Sequence, residues 1–308
     1  MAIAVPASCG RVPPTDAEQF AAARGSRVSA FVTRESRGQG QRCRWDLVSL
    51  TGRTDAERAA VAWIIAEAVM RQRCGPVHKA FQTWRDATLT GVRLSGLDRE
   101  LVLAFASPVF KPQDDPDADP HHGVPGHVGE WLWYLLALEQ PDLPARAREY
   151  LAEPKETVTD SGGDGLVIYR VPEASGLEFV FRLWEMKKYT GVEDSVSTTV
   201  RGAWDQLAEH GTRYVTSQIA WAYKHVSADA GDFVSQLAEL WLTGDPRSGA
   251  GVSVATNASA APKQRAFTRS HERIPLLAHD GQLEGLIIAV DDFTDFATHV
   301  QELVWTAL

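Results

Sequence analysis

Apolar and polar positions alternate most clearly between Asp164 and Lys187. Leu166-Val-Ile-Tyr-Arg-Val and, after a short turn, Leu177-Glu-Phe-Val-Phe-Arg-Leu-Trp-Glu185-Met-Lys187 have the make-up of two strands. They predict a β-hairpin turning near Pro172 to Gly176, so that antiparallel pairing returns the end of the second strand to the start of the first. Its apolar and aromatic side chains, Val167, Phe179, Phe181 and Leu183, suit a buried hairpin. Helical spacing governs most of the remainder. Thr54-Asp-Ala-Glu57 is a capping box, followed by a stripe of Val61, Ile64, Ile65, Ala68 and Val69 and closed by Gly75-Pro76. Further helices are predicted over about 128–140, 145–151, 196–210, 216–225, 232–242 and 293–305, with strands over 27–34, 92–94, 101–105 and 286–290. The Gly/Ser/Ala-rich stretch 244–265 reads as a mobile loop.

The succession of helix, hairpin, helix and later strand predicts an α/β fold, a mixed sheet with a central hairpin flanked by helices. The polar, turn-rich segment 111–126 suggests a division into an N-terminal α/β region, 1–112, and a second unit, 113–308, that carries the hairpin. No apolar run is long enough to span a bilayer, and the start of the chain lacks the basic and long apolar parts of a secretory signal. Cys9, Cys43 and Cys74 form no CxxC pair, so reduced thiols and a cytoplasmic setting are expected.

The hairpin also carries the candidate chemistry. Glu185 and Lys187 are two residues apart on a strand and share a face. Asp164 opens the neighbouring strand within Gly162-Gly-Asp-Gly165, where glycines leave backbone space. Two carboxylates suit magnesium, whose remaining positions are filled by water and substrate phosphate. The Met186 carbonyl is a further oxygen ligand, and Lys187 can hold the attacking water or stabilise developing charge; beside a bound metal its pKa would fall. Manganese is the alternative ion. Glu130 opens the apolar run Trp131-Leu-Trp-Tyr-Leu-Leu and is placed in the first turn of a helix, from which it can reach the metal. Acidic residues also favour helix N-termini for the macrodipole alone.

Helix-borne Glu130, Gly-Asp164-Gly and Trp-Glu185-Met-Lys187 together resemble the PD-(D/E)XK nuclease superfamily. The pairing of Gly-Asp-Gly-Leu-Val-Ile-Tyr with Leu-Trp-Glu-Met-Lys-Lys-Tyr-Thr is similar to the DUF1837 family, which includes the nuclease subunit of the Hachiman antiphage defence system. The matching motifs cover roughly 127–225. Gly163 stands where the proline of the superfamily motif would be. The resemblance implies a restriction-endonuclease-like core, DNA as substrate, Asp164, Glu185 and Lys187 as catalytic residues, Glu130 as auxiliary, and a helicase partner that controls access to DNA.

Other features carry less. The formal net charge of −9 is unusual for a protein that grips nucleic acid by itself. It is unevenly spread: Arg11, Arg24, Arg27, Arg34, Arg37, Arg42, Arg44 and Arg53 outnumber Asp16, Glu18, Glu35 and Asp46 in the first 53 residues, whereas 272–302 is acidic. A local basic groove or, preferably, a partner would then hold the DNA. His121, His122 and His127 read as loop histidines rather than metal ligands, and Gln206, Gln218, Tyr214 and Tyr223 as helix surface or packing. Trp131, Trp184, Trp221 and Trp241 are spaced like core residues, and Asp292 reads as a helix N-cap. Two alternatives to the partner-controlled nuclease remain open. One is a restriction endonuclease that recognises its own sequence; the other is a non-catalytic interaction subunit on a nuclease fold.

Overall fold

In a computed structural model, residues 11–38, 42–108, 110, 123–142, 146–154, 163–173, 176–191 and 195–308 are described. The order of elements is α1 (Pro14–Ala22), β1 (Thr33–Arg37), β2 (Cys43–Ser49), α2 (Asp55–Cys74), α3 (His78–Thr90), α4 (Gly96–Ala106) and α5 (Val124–Leu138). Then follow β3 (Ala147–Leu151), β4 (Gly165–Glu173), β5 (Gly176–Tyr189), α6 (Val196–His225), α7 (Ala228–Thr243), β6 (Ala250–Asn257), α8 (Ser270–Arg273), β7 (Leu283–Val290) and α9 (Phe293–Trp305). The strands form one seven-stranded mixed sheet in the order β1-β2-β7-β6-β5-β4-β3. β2, β7, β6 and β5 are mutually parallel, and β1, β4 and β3 run antiparallel to their neighbours.

Each face of the sheet buries a separate core. Val167, Trp184, Met186, Leu286 and Ile288 pack under α2, α5 and α9, while Leu166, Ile168, Leu183, Val252 and Ile287 pack under α6 and α7. Successive side chains on a strand point to opposite faces, so β5 contributes to both cores. The predicted hairpin forms, with Pro172 paired to Leu177 and Gly165 to Trp184. It lies inside the sheet but off its centre, because β6 and β7 occupy the middle. The strands β1 and β2, from the N-terminal region, join this same sheet. Most of the expected boundary segment falls outside the described residues.

Several elements differ from the sequence-based expectation. The stretch 101–105 lies in α4, where Val102 and Ala106, four residues apart, are the buried face, and 92–94 belongs to no strand. Ala147–Leu151 is a strand rather than a helix, held by pairing to β4. The strand expected over 27–34 is a 3₁₀ turn, Val28–Ala30, followed by β1. The helices expected over 196–210 and 216–225 are the single helix α6, because Gly211 is a packing position: a Cβ there would overlap the Trp241 ring. The expected loop 244–265 contains the buried strand β6; Gly251 in it and Gly249 just before it leave room for Trp184 and Arg182.

The capping box of α2 forms in full: the Thr54 hydroxyl accepts from the Glu57 amide, and Glu57 accepts from the Thr54 amide. Asp292 caps α9 as expected. The basic start of the chain is engaged with acidic partners: Arg11 binds Asp295 and Glu302, Arg24 binds Glu57, and Arg34 binds Asp46. These arginines therefore form no free basic groove. Cys43 and Cys74 are free thiols, and burial pushes the Cys43 thiol up to about 12. Among the described residues no helix is long and apolar enough to cross a membrane.

Candidate active site

The site forms where the β4–β5 ladder ends. Gly165↔Trp184 is its last pair, and beyond it the Asp164 amide donates to the Trp184 carbonyl at 3.1 Å. The Met186 amide, which a longer ladder would pair with backbone, donates instead to Asp164 Oδ2 at 2.7 Å. The Asp164 side chain thus replaces a rung of the sheet. On a strand a residue's N–H and C=O leave on the same side, so the Met186 carbonyl also faces this end. Gly165 is required here, since Trp133 of α5 occupies the space a side chain would need.

Glu185 and Lys187 follow Leu183 at two-residue intervals and share its face, under α6. Glu185 is 2% exposed, and Lys187 Nζ donates to its Oε1 at 2.6 Å. Burial, and then the charges of Glu185 and Glu130, push the Asp164 carboxyl well above the usual carboxylate range, against the pull of the Met186 amide and Lys187. Burial alone would lower the Lys187 pKa; the neighbouring Glu185 and Asp164 override it and raise it. The acids thus hold the ammonium charged, where a lowered pKa is expected beside a bound metal.

Glu130 occupies the second turn of α5, because the helix begins at Val124 rather than near Val128. The helix dipole therefore explains its position less well than the sequence suggested. Its carboxylate lies 3.6 Å from His127 Nδ1. His127 is a buried residue of α5, not a loop residue, and its Nε2 accepts from Trp131 Nε1 at 3.1 Å. A neutral imidazole accepting at Nε2 carries its proton on Nδ1, so the ring presents an N–H toward Glu130. His121 and His122 lie outside the described residues.

Two residues of α6 complete the surroundings. Gln218 Nε2 donates to the Gly163 carbonyl at 3.3 Å, and Tyr214 packs against Gly163 so closely that a Cβ there would lie 2.8 Å from the Tyr214 Cβ. Gln206 donates to the Tyr214 hydroxyl at 2.7 Å. These polar residues stood out in the sequence, but only the fold reveals that Tyr214 and Gln218 secure the backbone before Asp164. Trp221 is not a core residue: it is 56% exposed.

Asp164 and Glu185 are brought together with Lys187; Glu130 stands near enough to act on Asp164 electrostatically. Among the described residues no three His, Cys, Asp or Glu side chains converge as a ready-made metal cage. Magnesium needs only one or two carboxylates, and the donor set fits it. Two acids crowded in protein, one with its ionisation opposed, are relieved by a divalent cation. Asp164 and Glu185 would hold the ion, with the Met186 carbonyl available beside them. In comparisons with known proteins, no family model matches the chain and no curated protein matches its sequence.

Proposed function

We propose that the chain is a magnesium-dependent DNA endonuclease. The observation that carries this reading is the end of the hairpin, where Asp164 and Glu185 meet and Lys187 Nζ lies 2.6 Å from Glu185. The order α5, hairpin, α6, β6 within a mixed sheet supports the restriction-endonuclease-like core that the resemblance implies. In phosphodiester hydrolysis a water oxygen bonds to phosphorus, the bond from phosphorus to one ester oxygen breaks, the water gives up a proton and the departing oxygen gains one. A divalent cation, when bound, polarises the phosphate and lowers the pKa of the attacking water. Lys187, held as an ammonium, stabilises charge on the phosphoryl oxygens or orients that water. Gln218 and Tyr214 hold the backbone that sets Asp164.

The resemblance extends the proposal to antiphage defence under the control of a helicase partner. A net charge of −9, with Arg11, Arg24 and Arg34 already paired, accords with a nuclease to which DNA is delivered.

Plasmid cleavage with Mg²⁺ or EDTA tests both parts, comparing the native chain with Glu185→Ala and Lys187→Ala, alone and with any co-encoded helicase. Metal-dependent cutting that falls at least 10²- to 10³-fold in each variant is expected, the order of loss when one transition-state contact is removed. If no preparation cuts DNA and both variants bind Mg²⁺ like the native chain, the site is vestigial and the chain is an interaction subunit.

A further inference from the structure

The face of α6 that serves the site continues beyond it. At 100° per residue, Tyr214, Gln218, Trp221 and His225 fall within about 60° of one another around the helix. The first two pack on and hydrogen-bond to Gly163, next to Asp164. The last two are exposed: the Trp221 and His225 rings lie 4.5 Å apart and tilted by 32°, and Trp221 is 56% accessible. The His225 ring is also tied by Nδ1 to the Trp221 carbonyl at 2.8 Å. An aromatic pair is therefore held in open solvent about ten ångström along the helix from Tyr214.

The charge around this pair differs from that of the whole chain. Between Glu209 and Asp229 the sequence has no acidic residue but contains Arg213 and Lys224, although the net charge of the protein is −9. The acid that approaches the end of α6, Glu149, is already bound by Arg170 and by the Ser227 amide. This half of the helix therefore offers positive charge to a phosphate backbone without an acid of its own to repel it.

We propose that Trp221, backed by His225, is a stacking platform for an unpaired base of the DNA strand that enters the Asp164–Glu185 site. This rests on the nuclease reading and specifies its substrate as single-stranded DNA or a frayed end. The faces of paired bases are covered by their neighbours in the duplex, whereas a splayed base offers its face to an indole. Arg213 and Lys224 accompany the backbone.

Binding of a labelled single-stranded DNA and of the matching duplex, followed by fluorescence anisotropy with Ca²⁺ in place of Mg²⁺, tests this on the full chain. Trp221→Ala is expected to weaken single-strand binding about five- to hundredfold, the value of stacking one base, and to leave duplex binding unchanged. Trp221→Phe should recover most of the loss, and both variants should melt like the native protein because the ring is exposed. Unchanged single-strand binding, or an equal loss on duplex, overturns the platform. If the native chain binds and cuts DNA while Trp221→Ala behaves normally, this assignment fails alone. If it neither binds nor cuts any DNA, the nuclease reading fails with it.

Discussion

β5 carries one buried charge into each of two partly buried clusters that differ in kind. Arg182 and Glu185 are three residues apart and so face opposite sides of the sheet. On the α5 side, Arg182 is 7% exposed and lies with Arg146 around a single acid, Glu284. The remaining capacity of Arg182 goes to the Phe181 and Gly281 carbonyls, and Arg146 sits over the Tyr169 ring. Burial would raise the Glu284 carboxyl, but Arg146 and Arg182 override it and hold it below its ordinary value. On the α6 side the ratio is reversed. Asp164 and Glu185 share one Lys187, the charge of Glu130 on α5 also acts on Asp164, and ionisation of Asp164 is opposed. The first cluster sets two cations around one acid, with burial and then Arg146 holding the Arg182 guanidinium below its ordinary value, and serves the fold; the second is short of positive charge, as a cation-binding site would be.

Breaking the Glu284 cluster should have the larger effect on stability. Glu284→Gln leaves the buried Arg182 and the partly exposed Arg146 without their counter-ion. The expected loss is about 1–3 kcal/mol by denaturant unfolding, below the cost for a fully buried pair because Glu284 and Arg146 still reach water. Its pH dependence follows from the sign of the shift. The folded pKa of Glu284 lies below the unfolded value of about 4.3. Its contribution is thus present above that value and lost as pH falls through the folded pKa. The gap between native protein and variant should therefore narrow on acidification. A gap that stays constant would mean that the loss comes from packing rather than charge.

The Asp164 cluster was legible in the sequence because its signal is local. Period-two alternation fixed the hairpin and put Glu185 with Lys187, and a single turn brought Asp164 back to them. The Thr54 capping box and the Asp292 cap were readable for the same reason, since each is complete within four residues. The Glu284 cluster was not legible. It joins Arg146, Arg182 and Glu284, whose proximity depends on the order β7-β6-β5-β4-β3. The strand β6 was hidden by small residues in and before it: Gly249 and Gly251 look like loop composition until Arg182 and Trp184 are seen lying across them. Trp221 failed in the opposite sense, because an aromatic at helical spacing usually faces a core and this one faces solvent. His127 was misplaced because α5 starts four residues earlier than its apolar run suggests.

The smallest expected effect is also the sharpest test of the comparison. Asp164→Asn keeps an oxygen to accept from the Met186 amide and removes one negative charge from the crowded site. If the cluster is strained by like charge, the ion-free variant should be more stable than the native protein at neutral pH. About 0.5–2 kcal/mol is expected, in the range of gains from relieving a functional site, together with loss of metal-dependent cutting. The folded pKa of Asp164 lies above the unfolded value of about 3.9, so its cost is absent below that value and develops fully as pH rises through the folded pKa. The advantage of the variant should therefore grow with pH, opposite in sense to Glu284→Gln, whose deficit grows. Thermal melts in EDTA across that range read both signs. If Asp164→Asn is instead destabilising at neutral pH, its carboxylate is held as firmly as that of Glu284. The two clusters are then alike, and the case for a cation at the hairpin loses its electrostatic basis.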